Sequence, residues 1–226
     1  MFIFASSKEW HNYTFQKIIS ESGISGVYVD STEKLLDALK EFGRQVDWVF
    51  FGHWSKILSE DLCKSINGVI FHCTDLPYGR GGSPLQNLIR EGHSLSQLCA
   101  IRLVPELDSG DILRKTAISL GGTAEEIFLK MRDPIADMCI SILNGDYSEV
   151  PQTGKVTVFK RRTPGDSNLN ILEPSSLSEF HDLVRMLDCK GYPSCFLEFG
   201  KFRFEFSRSA LMENEVKCDV KISIKS

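Results

Sequence analysis

Along the first half of the chain the hydrophobic positions switch between two rhythms. Short apolar or β-branched runs at residues 1–5, 26–29, 47–51 and 68–72 read as buried strands. Between them, residues 8–21 and 32–42 repeat apolar side chains at helical spacing, with Ser31 or Thr32 as N-cap of the second helix and Gly43 as its stop. Ser83 before Pro84 predicts a capped helix that ends at Gly92. Residues 98–104 and 112–118 are strand-like, and 123–143 read as one long amphipathic helix ending near Asn144-Gly145. Strands alternating with helices predict an α/β fold with a doubly wound, mostly parallel sheet over residues 1–149. From Val150 the texture changes: a Pro-Gln-Thr-Gly turn, the basic run KRRTPGD, a helix at 177–187, and two alternating stretches at 195–206 and 215–224. Residues 150–226 are therefore expected to form a small C-terminal α+β or β-rich attachment.

Composition leaves this picture intact. Of 226 residues, 42% are hydrophobic and 25% charged, near globular averages. No stretch approaches the roughly 18 apolar residues of a membrane span, so no membrane partner is expected. The opening MFIFASSKEW has no basic n-region and too short an apolar run for a signal peptide, which predicts a first strand and a cytoplasmic protein. Cysteines 63, 73, 99, 139, 189, 195 and 218 form a dispersed set without a C-x-x-C pair or histidines at zinc spacing. They predict reduced core thiols and no metal site. A formal net charge of −4 argues against a general affinity for nucleic-acid backbones.

Candidate chemistry concentrates in FHCTDLPYGRGGSPLQNLI, residues 71–89. Here His72 ends a predicted strand, and a loop punctuated by Gly and Pro follows. In open α/β sheets ligands bind beyond the carboxyl ends of the strands, so a functional side chain belongs there. Downstream, VPELDSGDIL places Asp108 in a Ser-Gly turn between two predicted strands. A carboxylate beside an imidazole fixes the tautomer of the ring and prepares it for proton transfer. Taken alone, His72 is equally compatible with a structural role, and Asp108 with a simple Asx-turn.

Together the two stretches resemble the folate-dependent formyltransferases, the family that includes methionyl-tRNA, glycinamide ribonucleotide and nucleotide-sugar formyltransferases. The family loop reads approximately N-x-H-x-S-L-L-P-x-x-R-G-x-x-P and is followed by a Leu/Val-Asp-x-Gly turn. His72, Leu76, Pro77, Arg80, Gly81 and Pro84 fall in register, as do Gly92 and LDSGDIL at 107–113. FKRRTPGD at 159–166 resembles the family's R-R-x-P-x-D segment. Thr74 and Asp75 stand where Ser and Leu are usual, and Gln97-Leu98-Cys99 replaces a Gly-Val-Thr strand. The sharpest departure is Ile70, at the position of the family's catalytic asparagine. Loss of such an oxyanion donor typically costs about 2.7–4 kcal/mol of transition-state stabilisation, so another donor is expected, with Asn67, Asn87 or a backbone amide as candidates.

The resemblance implies a Rossmann-like fold and formyl transfer from N10-formyltetrahydrofolate to an amine. His72 would act as electrostatic stabiliser and proton shuttle, and Asp108 as its orienter and possible base. Folate contacts are expected from Trp54, Ser55, Lys56 and Ile57, with Leu76, Val104 and Leu107; His53 in the same loop is a weaker rival for the catalytic role. Arg80, Arg161 and Arg162 would hold anionic parts of a substrate, and Tyr192 would contribute to its binding. Methionyl-tRNA enzymes usually carry a larger, basic C-terminal domain, whereas acids and bases nearly balance after Val150. A nucleotide-linked amino sugar is therefore the favoured small-molecule acceptor, with methionyl-tRNA, or folate binding without catalysis, as the alternatives. The oligomeric state is left open, a homodimer being one option.

Overall fold

Phe2–Ala5 form β1, and none of these four side chains is exposed to solvent. A strand buried on both faces reads as continuous apolar sequence, and it belongs in the middle of a parallel sheet. In the computed structural model, which describes residues 1–225, β1 lies between β2 (Gly26–Val29) and β3 (Trp48–Phe51), parallel to both. Helices α1 (His11–Ser22) and α2 (Thr32–Phe42) supply the first two connections. Ser31 caps α2 by accepting from the Lys34 amide, and Gly43 ends it with a φ of 48°. A short helix the sequence pattern did not announce, α3 (Glu60–Ser65), precedes β4 (Gly68–His72), which pairs parallel to β3. β5 (Arg80–Gly81) and α4 (Pro84–Arg90) lead to β6 (Leu95–Arg102) and β7 (Ile112–Ser119). The sheet order is β2-β1-β3-β4-β6-β7, and β6 runs antiparallel to β4 with Cys99 opposite His72. This is the mostly parallel Rossmann-like architecture expected from the sequence.

The helix expected over 123–143 is two helices, α5 (Ala124–Lys130) and α6 (Arg132–Leu143). Pro134 has no amide hydrogen to return to the carbonyl of residue 130, and proline suits the first turn of a new helix. Ser83 also departs from expectation. Its side chain makes no cap bond to α4; the hydroxyl accepts from the Arg162 amide at 3.2 Å.

The chain packs as two units. Unit one contains Met1–Arg80, Gln97–Ile118 and Leu129–Val158, and so most of the large sheet. In it α1 packs against α6, and Ile3, Ala5, Leu35, Val49 and Phe51 share one apolar cluster. Unit two contains Gly81–Ser96, Ser119–Phe128 and the chain from Phe159 onward. Unit two thus draws two segments from the chain before residue 150. After β8 (Val158–Phe159), a one-turn helix α7 (Leu169–Leu172) and α8 (Leu177–Arg185) precede an antiparallel sheet of order β11-β10-β9. The alternating stretch 195–206 is a hairpin: β9 (Cys195–Phe199) turns at Gly200, φ 57°, into β10 (Phe202–Leu211), which pairs with β11 (Val216–Ile224). Phe180 of α8 stacks edge-on against Phe206 of β10, ring centroids 5.6 Å apart. Among the described residues no helix is long and apolar enough to cross a membrane.

Candidate active site

β4 delivers His72 to the carboxyl end of the parallel strands, where the ring is 6% exposed. Its Nε2 lies 2.8 Å from the carbonyl oxygen of Gly79. A carbonyl only accepts, so Nε2 carries the hydrogen. On the other edge of the ring, Nδ1 is 3.6 Å from Oδ2 of Asp108. That spacing is long for a direct hydrogen bond. Asp108 is itself 7% exposed, so the pair sits away from bulk water. The structure thus brings together two side chains 36 positions apart in the sequence (72 and 108).

The turn that presents Asp108 is built by local constraint. Asp108 has a φ of 50°, in the left-handed region that few residues other than Gly, Asn and Asp adopt. Two residues on, Gly110 passes so close to the backbone of Arg102 that an added Cβ would lie 1.9 Å from the Arg102 carbonyl oxygen. Only glycine fits there, which is the physical content of the Asp-x-Gly spacing. Gln152 then fastens the turn: its Nε2 donates to the Asp108 carbonyl at 2.9 Å and to the Gly110 carbonyl at 2.8 Å.

Ile70 shares the His72 face of β4, two residues earlier. It packs with Leu76, Cys99, Ile101 and Ile112 in an apolar cluster, so the neighbourhood offers an amide no ready partner. Of the expected substitute donors, Asn67 stands at the opposite end of β4 and donates to the Asp47 carbonyl. Asn87, in unit two, gives its amide to the carbonyls of Gly82 and Ser83 at 3.1 and 3.0 Å. Both are committed elsewhere. Thr74 Oγ1 approaches the Gly79 carbonyl at 3.4 Å.

Trp54, in the loop after β3, packs edge-on against Phe51. Its indole Nε1 is buried without a hydrogen-bond partner among the described residues, a donor that an acceptor on a ligand ring would satisfy. Ser55, Lys56 and Ile57 are exposed, Ile57 almost completely. Leu107 is exposed and Val104 half-buried, whereas Leu76 is buried in the cluster around Ile70. Arg80 donates through Nε and Nη2 to Gln152 Oε1, at 3.0 and 2.7 Å. Arg161, Arg162 and Tyr192 belong to unit two. Arg161 is exposed and its backbone abuts Gly82. Nε of Arg162 is buried without a partner among the described residues, and burial together with neighbouring Arg90 lowers the pKa of the guanidinium. The Tyr192 ring packs near Phe128, 5.8 Å between centroids.

Two features escaped the sequence reading. Gln152 belongs to no recognisable pattern. The other is a histidine pair, His11 buried and His53 partly so: His11 Nε2 meets His53 Nδ1 at 2.7 Å, and His11 Nδ1 meets Thr14 Oγ1 at 3.0 Å. Desolvation, then the adjoining His53 ring and Arg132, pushes His11 down to about 2, and desolvation with Lys8 nearby pushes His53 down to about 4, so both are neutral near pH 7. The backbone of His53 is left-handed, φ 49°. The cysteines are all free thiols, and burial raises Cys73 to about 12 and Cys99 to about 11, which leaves neither as a ready nucleophile.

Comparison with known proteins places relatives beside this geometry. Residues 164–223 match the family described as methionyl-tRNA formyltransferase, C-terminal domain. The chain is 33% identical over 124 residues to the methionyl-tRNA formyltransferase of Rickettsia massiliae (strain Mtu5), covering 53% of this chain and 38% of that protein. It therefore spans only about 38–51% of the length of the curated relatives it matches. A solved methionyl-tRNA formyltransferase from Clostridium thermocellum superposes with a TM-score of 0.91 at 36% identity, over 99% of both chains. A sugar N-formyltransferase from a Shewanella species shares the fold at 14% identity, with a TM-score of 0.73 over 94% of this chain and 98% of that one.

Proposed function

Because the chain belongs to the formyltransferase family, we propose that it moves a formyl group from N10-formyltetrahydrofolate to the primary amine of a nucleotide-linked amino sugar. The observation that carries the transfer is the buried His72–Asp108 pair, with Nε2 tied to Gly79 and Nδ1 turned toward the carboxylate. In the reaction the amine nitrogen bonds to the formyl carbon, the bond from that carbon to folate N10 breaks, and one proton passes from the amine to N10. With its Nε2 hydrogen held by Gly79, His72 takes the amine proton at Nδ1. Asp108 then faces the charged imidazolium and stabilises it, and the same positive charge steadies the formyl oxygen as it becomes negative. His72 returns the proton to the departing nitrogen. The co-substrate supplies the formyl carbon; Trp54 Nε1, Ile57, Val104 and Leu107 are the residues we assign to its ring system.

The small-molecule acceptor is favoured by the charge pattern of the C-terminal sheet. Arg203 pairs with Glu198 and Glu205, Arg208 with Asp219, Lys217 with Glu215, Lys221 with Glu205 and Lys225 with Glu198. A surface whose cations already face carboxylates gains little from binding a polyphosphate backbone. Arg161 and Arg162 are the guanidinium groups we assign to a diphosphate. The rival acceptor, methionyl-tRNA, is favoured by the match over residues 164–223 and by the 36% identical relative. Incubation of the protein and formyl donor with a panel of nucleotide-linked amino sugars, and separately with methionyl-tRNA, separates the two by which amine gains the mass of a formyl group. Formylation of methionyl-tRNA alone rejects the sugar reading. In hydrogen exchange, tetrahydrofolate is expected to protect residues 54–57 and 104–108; protection confined to the C-terminal sheet would contradict the folate assignment.

A further inference from the structure

His72 has two partners, and both are held by one segment that precedes β8. Thr157 Oγ1 accepts from the Gly79 amide at 2.7 Å, and the Thr157 carbonyl accepts from the Arg80 amide at 3.0 Å. These two bonds hold the peptides on both sides of the Gly79 α-carbon, and with them the carbonyl that receives the His72 Nε2 hydrogen. Five residues earlier, Gln152 uses its whole carboxamide. Nε2 donates to the carbonyls of Asp108 and Gly110, while Oε1 accepts both Nε and Nη2 of Arg80. The orientation of the amide is unambiguous, because guanidinium only donates and carbonyls only accept. The side chain therefore couples the left-handed Asp108 turn to the loop on the other edge of the imidazole.

Resting on the formyl-transfer reading above, we infer that Gln152 is a positioning residue of the reaction: with Arg80 it fixes the backbone of Asp108, and so the distance from that carboxylate to His72 Nδ1. A left-handed non-glycine residue persists only where its surroundings over-determine it, and the Gln152 amide provides that constraint at the carbonyls of residues 108 and 110. Arg80 accordingly acts through Gln152 rather than by holding an anion. The dependence of the reaction on this geometry is steep, since a misplacement of about 1 Å in a catalytic group costs on the order of 100-fold in rate.

Two substitutions dissect the bridge. Gln152→Glu keeps an acceptor for Arg80 but turns lone pairs toward the two turn carbonyls; Gln152→Met removes both halves. Ring 15N spectra of the five histidines, with the His72 signals assigned by their loss in His72→Asn, give a readout independent of turnover. Both Gln152 variants are expected to move the His72 Nδ1 signal toward its position in Asp108→Asn, leaving the other rings unchanged. His72 signals that stay at wild-type positions in Gln152→Glu, while Asp108→Asn moves them, would overturn the inference. Should Gln152→Met fail to fold, Gln152→Glu decides alone. In steady-state assays with the acceptor the panel identifies, kcat is expected to fall at least tenfold with KM for the folate within about threefold. Unchanged kcat would equally overturn it. If the wild-type protein formylates no acceptor, the functional reading fails while the ring spectra still decide whether Gln152 positions Asp108.

Discussion

Mild acid should destabilise this protein well before its carboxylates titrate, and the cause is the His11–His53 pair. His11 is buried and His53 partly buried; the two rings are bonded to each other at 2.7 Å and neutral in the folded state, with desolvation holding them at about 2 and about 4. In the unfolded chain each returns to about 6.5. Between pH 6.5 and 4 the unfolded chain thus binds two protons that the folded chain refuses, so unfolding gains on folding as the pH falls. At pH 5 each histidine sits about 1.5 units below its unfolded value while the folded rings remain largely unprotonated. Each then costs about 2 kcal/mol of stability relative to pH 8, or about 4 kcal/mol for the pair. That is a large share of the roughly 5–15 kcal/mol of a typical domain. The contribution is fully present above pH 6.5 and is lost progressively below it. Urea unfolding at pH 8, 6.5 and 5 at constant ionic strength measures it directly, by linear extrapolation at each pH. His11→Gln retains a polar side chain for Thr14 and His53 and should halve the pH dependence. A loss under about 1 kcal/mol between pH 8 and pH 5, or an unaltered pH dependence in His11→Gln, would refute the assignment of two desolvated neutral rings.

Two substitutions test the turn and the strand that frame His72. Ile70→Asn places an amide in the apolar cluster of Leu76, Cys99, Ile101 and Ile112; stability should drop by about 1–3 kcal/mol and turnover should stay level or fall. A gain of about a hundredfold, nearly 3 kcal/mol of added transition-state stabilisation, would instead show an enzyme weakened by its missing donor. Gly110→Ala forces a Cβ to within 1.9 Å of the Arg102 carbonyl, and because backbone rather than a flexible side chain must yield, a loss of about 3 kcal/mol or failure to fold is expected; a melting temperature equal to wild type would contradict the close approach.

How far the sequence discloses this molecule depends on the range of each interaction. Local chemistry was legible: Ser31 and Gly43 bound α2 where the capping rules place them, and the uninterrupted apolar run at Phe2–Ala5 marks a central strand. Where a distant partner competes, local rules fail. Ser83 has the right identity for an N-cap, yet a left-handed backbone turns its hydroxyl to the Arg162 amide instead. The apolar rhythm of 123–143 continues across Met131, and only the missing amide of Pro134 divides it. In the hairpin of 195–206 the alternation hid the turn at Gly200. His72, at the end of β4, and Asp108, in the turn between β6 and β7, each stand in a Gly-punctuated stretch that draws attention from the sequence alone. Gln152 draws none, since glutamine carries no positional signature and its turn contacts lie 44 and 42 residues away. The His11–His53 bond spans 42 positions and was equally invisible.

The central claim is that the buried His72–Asp108 pair performs formyl transfer, and it is tested by rapid mixing of enzyme with N10-formyltetrahydrofolate and an amine acceptor, following the release of tetrahydrofolate in one turnover. His72→Asn and Asp108→Asn should each retain folded stability and folate binding while the transfer step falls by at least about 100-fold, the scale expected for loss of a general acid–base group. Transfer at near wild-type rates in both variants would contradict the account.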